Sequence, residues 1–269
     1  MSQPLTRRRL ATALVSAAVL VPLLAACGDN DKDDKADKAG SGGKKAGGDT
    51  QLTVLAAASL TDVFKTAGAA YEESHPGTKL RFSFEGSQEL AAKVRQGAPA
   101  DALVTADTKT MDGLRAETGT PSVIAKNRLV IATEKGNPKK VKSLKDLAGS
   151  GLKVVLAAPE VPVGRYSEQV LDAQDVKVKP VSQEPNVRAV LSKVELGEAD
   201  AGLVYKTDIA AADGKAEGVD IPDGQNAIAD YPAATLKDSG HAKEAAAFVK
   251  WLSGAEAQKI LRDAGFQKP

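Results

Sequence analysis

One cysteine, Cys27, stands in 269 residues, so no internal disulfide is possible and any fold must be held by its core. Only two histidines occur, His75 and His241. Neither has neighbours at metal-ligand spacing, and both read as surface residues. Aromatics make up 4% of the chain, which leaves Ala, Val and Leu to fill the interior. A basic surplus is also missing. Taking Arg7, Arg8 and Arg9 of a leader away from 36 basic residues leaves 33 against 35 acidic ones, a charge of −2, and nothing argues for nucleic acid. The stretch "EGSQEL" is not followed by G-K-[ST], which excludes a phosphate loop. Ser59 and Ser87 lack the G-x-S-x-G setting of a hydrolase nucleophile.

What is present begins with "TRRRLATALVSAAVLVPLLAAC". A basic start, an apolar run of roughly 15 residues and small residues before Cys27 read as a secretory signal over 1–26. The run is too short and wrongly flanked to span a membrane. "LAAC" resembles a bacterial lipobox, which implies lipid on Cys27, export, and anchoring to the outer face of the cell membrane. "TRRRLA" has a weak likeness to a twin-arginine signal. Residues 28–50 hold six Asp and five Lys with almost nothing to bury, so 27–50 reads as a disordered tether. Interleaved lysines and the lack of a closing Glu argue against a calcium loop there.

The remaining 51–269 alternate short apolar runs with helical patterns, which points to an α/β fold with parallel sheets. Strands are expected at 52–57, 79–84, 102–105, 128–133, 153–157, 177–181, 201–205 and 231–236. Helices are expected at 61–74, 88–96, 143–147, 165–173, 187–196, 242–252 and 255–264. No internal repeat is visible.

Four turns between these elements look alike: "ASLTD", "EGSQEL", "PEVPVGRY" and "QEPNVRAV". Each delivers free backbone N–H groups at a helix start, where the macrodipole favours negative charge. In open α/β sheets ligands sit beyond the carboxyl ends of the strands. Taken alone, Ser59 is a helix cap paired with Asp62. Four such turns meeting would make an anion site without a cation.

The segments "LTVLAAASLTDVF", "GAPADALVTAD", "NRLVIAT", "VPVGRY", "EPNVRAVLSKVELGEADAGLVY" and "GFQKP" resemble, in order, the periplasmic molybdate-binding proteins that feed ABC transporters. The likeness runs from Leu52 to the C-terminus. It implies a two-lobed, type II periplasmic-binding-protein fold with the ligand in the cleft. One lobe would be 51–126 plus 231–269 and the other 127–230. It implies a binding protein and not an enzyme, with no cofactor beyond its ligand, molybdate or tungstate. Its partners would be an ABC permease subunit and, through Cys27, a membrane, with the protein itself a monomer. Carried over by motif, Ser59 and Ser87 would each offer a hydroxyl and an N–H, Val163 and Val187 an N–H, and Tyr205 its phenol. Glu85 departs from the family's serine-rich turn and is unwelcome beside an anion unless it points away. Arg165 and Arg188 read as turning to solvent or acidic neighbours and not to the ion.

Three rival readings remain open. The same fold could take sulfate or phosphate. An exported serine hydrolase would need a base that these motifs do not offer. A ferric-iron receptor would want clustered tyrosines, and Tyr71, Tyr166, Tyr205 and Tyr231 are dispersed along the sequence.

Overall fold

The computed structural model describes residues 49–269. The signal reading over 1–26, Cys27 and nearly all of the tether lie outside these residues. In chain order the elements are β1 (Thr50–Ala57), α1 (Thr61–Ser74), β2 (Thr78–Glu85), α2 (Ser87–Arg95), β3 (Ala102–Val104), α3 (Thr108–Asp112), β4 (Ser122–Glu134) and β5 (Val154–Ala157). Then come α4 (Pro162–Ala173), β6 (Ser182–Glu184), α5 (Val187–Glu195), β7 (Ala201–Tyr205), α6 (Lys206–Ala211), β8 (Ala216–Asp220), β9 (Ile228–Thr235), α7 (Ala242–Leu252) and α8 (Ala255–Asp263). The first strand takes in Thr50, whose N–H donates to the Gly77 carbonyl at 2.8 Å, so the tether reading ran one residue too far.

The strands form two sheets joined through β4. Its residues 122–128 pair with β9 and its residues 129–134 with β7 and β8. Around that join the two halves repeat one plan. In the first, β2, β1 and β3 lie side by side and parallel, with α1 and α2 as connections. In the second, β6, β5 and β7 do the same with α4 and α5. Each unit is closed by an antiparallel neighbour, β9 beside β3 and β4 beside β7. The parallel sheets expected from the alternation are these two units, and the long strands between the halves run against them.

The repeat extends to side chains. Asp101 and Asp200 each stand just before the third strand of a unit, 6% and 7% exposed. Asp101 accepts from the Thr53 N–H at 2.7 Å, and Asp200 from the Lys153 N–H at 2.7 Å. Their own N–H groups return bonds to the Thr53 and Lys153 carbonyls, both at 2.8 Å. Each aspartate thus pins the start of a third strand to the first. That is the structural meaning of "GAPAD" and "GEAD", and it is a repeat the sequence comparison of the halves misses.

Other boundaries moved for identifiable reasons. The strand expected at 177–181 is absent, because Pro180 has no N–H to pair; pairing begins with the Val181 N–H donating to the Val154 carbonyl at 2.8 Å. The fourth helix starts at Pro162, where proline suits a first helical position. The 143–147 segment is a 3-10 turn, Leu144–Ala148. β8, α3 and α6 were not expected at all. Buried Ala, Val and Leu make up most of the core, as the shortage of aromatics requires.

Removing either clamp should be costly. Asp101→Ala or Asp200→Ala leaves a part-buried backbone N–H unpaired, so each should lower stability by about 1–3 kcal/mol, read as a lower urea midpoint. A midpoint equal to wild type would mean that water replaces the carboxylate.

Candidate functional site

All four turns singled out in the sequence open onto one cavity, lined by Ser59, Glu85, Gly86, Ser87, Val161, Pro162, Val163, Asn186, Val187 and Tyr205 among others. Its cavity volume is about 10 Å³, room for little more than one water-sized sphere, so it leaves no space for an organic ligand. Neither lysine, arginine nor histidine lines it. The two halves contribute equivalent turns: those after β1 and β2 from one, those after β5 and β6 from the other.

Ser59 is not a helix cap. It lies in a 3-10 turn, Ala58–Leu60, and α1 is capped at Leu60 without a side-chain bond. Its Oγ instead meets the Tyr231 hydroxyl at 2.9 Å. Tyr231 is fully buried, and burial holds its phenol far above the ordinary value, so it keeps its proton. A phenol is the stronger donor of the two, and when it donates to Ser59 the serine proton is left for a ligand. Ser87 is set the same way: its Oγ accepts from the Ala106 N–H at 3.0 Å, which leaves its own proton free to turn inward. Tyr205 is 1% exposed, its hydroxyl has no partner, and burial raises its pKa well above the usual 10, so it stays an O–H. A buried hydroxyl without a partner costs free energy unless something fills the gap.

Val163 and Val187 sit in the first turns of α4 and α5, where N–H groups have no intrahelical partner. Asn186 caps α5 through its side chain, which accepts from the Ala189 N–H at 3.0 Å and does not take up the Val187 N–H. The helix α4 comes in unusually close. A Cβ on Gly164 would lie 2.0 Å from the Ala158 carbonyl oxygen and 2.8 Å from that of Ala157. Only glycine allows this approach, which explains the G of "VPVGRY".

The charged groups around the cavity are engaged elsewhere. The Glu85 carboxylate is held by Lys93 and by the Ser83 hydroxyl at 3.1 Å, which removes the objection to it. Arg165 donates to Asp107, to the Glu160 carbonyl and, at 2.9 Å, to Thr110 Oγ1. Arg188 lies 2.8 Å from both Asp62 and Asp208. Asp208 is fully buried; burial pushes its pKa up to about 6, and Arg188 works against that shift. The arrangement can accept an anion through neutral donors only.

Sequence reasoning missed two supporting residues. Tyr231 stands 172 positions from Ser59, and no local pattern links them. Tyrosines that look dispersed also come together: the Tyr205 and Tyr231 rings meet edge-on at 5.9 Å, and Phe266 of "GFQKP" packs on Tyr231 at 5.4 Å. No group of three or more His, Cys, Asp or Glu suited to a metal ion occurs among the described residues.

Residues 52–267 match the family model of bacterial extracellular solute-binding proteins. The chain is 40% identical, over 97% of its length and 98% of the relative's, to the molybdate-binding protein ModA of Mycobacterium tuberculosis. It is 32% identical, over 94% and 96%, to a putative ABC transporter substrate-binding lipoprotein, YvgL, of Bacillus subtilis. Among solved structures, the periplasmic molybdate-binding protein of Azotobacter vinelandii shares the fold, with a TM-score of 0.70 at 24% identity over 81% of this chain and 99% of that one.

The close approach of α4 generates a test. Gly164→Ala would force the helix start away from the end of β5, at a cost of about 1–3 kcal/mol. Thermal unfolding measures it, and a melting temperature equal to wild type would show that the contact yields freely.

Proposed function

The chain belongs to the bacterial extracellular solute-binding proteins, and from that premise we propose that its solute is molybdate, with tungstate accepted alongside. Solute-binding proteins hold their ligand and do not transform it, so the hydrolase reading falls away. The observation that carries the choice of ligand class is the buried Tyr205 hydroxyl without a partner, set in a cavity of first-turn N–H groups and serine hydroxyls. Ser59, Ser87, Val163, Val187 and Tyr205 would be the contacts. In this reading the lobes divide as 51–126 plus 231–269 and 127–230, and the monomer delivers its ion to an ABC permease.

Selectivity follows from the donor set. A fully ionised tetrahedral dianion can use every N–H and O–H. Monohydrogen phosphate brings a proton that needs an acceptor, and Glu85, the carboxylate at the cavity, would have to leave Lys93 and Ser83, which hold its Oε1, or turn its Oε2 inward to provide one. The unmet proton costs about 1–3 kcal/mol. Sulfate has no proton but is smaller than molybdate, so in a cleft fitted to the larger ion its hydrogen bonds would be long and weak.

Titration calorimetry with the four oxyanions should rank molybdate close to tungstate, then sulfate, then phosphate. Sulfate or phosphate binding tightest would overturn the assignment and leave only the fold. Tyr205→Phe, Ser59→Ala and Ser87→Ala should each weaken molybdate binding about tenfold to a hundredfold, the worth of a bond to a charged group. Wild-type affinity in all three would place the site elsewhere.

We also propose lipid anchoring through Cys27, on the strength of "LAAC" alone. Fatty-acid labelling of cells expressing the protein should mark the wild type and not Cys27→Ser; label retained on the variant would sink this reading.

A further inference from the structure

Ser59, Ser87, Val163, Val187 and Tyr205 are at most 4% exposed. An ion held among them can leave only when the two halves part. Three side-chain contacts between the halves start from residues within two positions of ones lining the cavity. Arg188 follows Val187 and reaches Asp62, three residues after Ser59, with Nη1 2.8 Å from Oδ2. Arg165, two residues after Val163, binds Asp107 and Thr110 beyond β3. Gln88 follows Ser87 and donates Nε2 to the Pro185 carbonyl at 2.7 Å. Gly86 makes room for this contact, because a Cβ there would lie 2.5 Å from the same oxygen.

We propose that these three contacts are clasps that set how long the bound oxyanion stays. Arg165 and Arg188 act by joining the halves and not by touching the ion. Each is already matched by carboxylates: Asp107 for Arg165, and both Asp62 and buried Asp208 for Arg188. Each turn that faces the ion therefore has a neighbour that grips the opposite half, so holding the ion and holding the cleft shut are coupled through single backbone steps. The proposal rests on the anion-binding reading above, and its test separates the two.

The sign of one substitution decides. Asp62→Ala removes a negative charge from beside an anion site, which by field alone would tighten binding. Loss of a clasp does the opposite. Gln88→Ala changes no charge and serves as the neutral counterpart. Stopped-flow and calorimetry would compare both with wild type, using whichever of molybdate, tungstate, sulfate and phosphate binds tightest. Each variant should release the ion about threefold to tenfold faster, as expected for one partly exposed pair or bond, with the association rate little changed. The ligand-free melting temperature should stay near wild type, because neither side chain is buried in the core. The double variant should multiply the two effects. Asp62→Ala binding as tightly as wild type or tighter, with Gln88→Ala unchanged, would overturn the clasps and leave anion binding intact. A wild type that binds none of the four ions would overturn both.

Discussion

Four helix starts meet at one cavity, and the first-turn N–H groups they bring have no partners inside their own helices. The surrounding structure is arranged to aim these groups. The Ala106 N–H occupies the acceptor side of Ser87, and Tyr231 does the same for Ser59 when its phenol is the donor, which leaves the hydroxyl protons for the centre. Gly164 lets α4 approach the end of β5. The positive potential at the centre therefore comes from dipoles, while the two nearby guanidinium groups are matched by Asp107, Asp62 and Asp208. A site built this way needs a rigid frame, because a dipole contributes only when it is correctly oriented.

The frame is supplied twice. Each half carries a three-stranded parallel unit whose third strand is pinned to its first by an aspartate, Asp101 in one and Asp200 in the other. Because the units correspond, so do the turns at their carboxyl ends, and the cavity is assembled from matching parts of two copies of one plan. Sheet pairing passes from one unit to the other through β4, which pairs with β9 on one side of Arg128 and with β7 on the other.

Much of this was legible from local signals. The helices at 61–74 and 242–252 were placed to the residue, because an amphipathic run is closed by "SHPG" in one case and by "SG" in the other. All five contact residues implied by the family resemblance line the cavity; four of them sit at turns that the apolar pattern marks, whereas Tyr205 ends a strand before a helix, α6, that the pattern does not show. What the sequence hides is set by distance along the chain. The antiparallel course of β4 and β9, the pairing of Tyr231 with Ser59 and the meeting of Tyr205 with Tyr231 all join residues far apart. β8 escaped notice because "AEGVD" is polar and contains glycine, and its pairing with β4 makes it a strand. The repeat escaped because the halves share geometry and little sequence beyond the aspartate before the third strand.

Tyr231 lies on β9 three residues from Ile228, which pairs with Arg128 of β4, where β4 passes from one sheet to the next. The same residue orients the Ser59 hydroxyl and is packed on Phe266, next to Gln267, which is bonded to Lys126 of β4 at 2.9 and 2.8 Å. The C-terminal tail, the joining strand and one donor of the site thus form a single mechanical train. One unbroken path of contacts runs from the backbone of Gln267 through Phe266 and Tyr231 to the Ser59 hydroxyl.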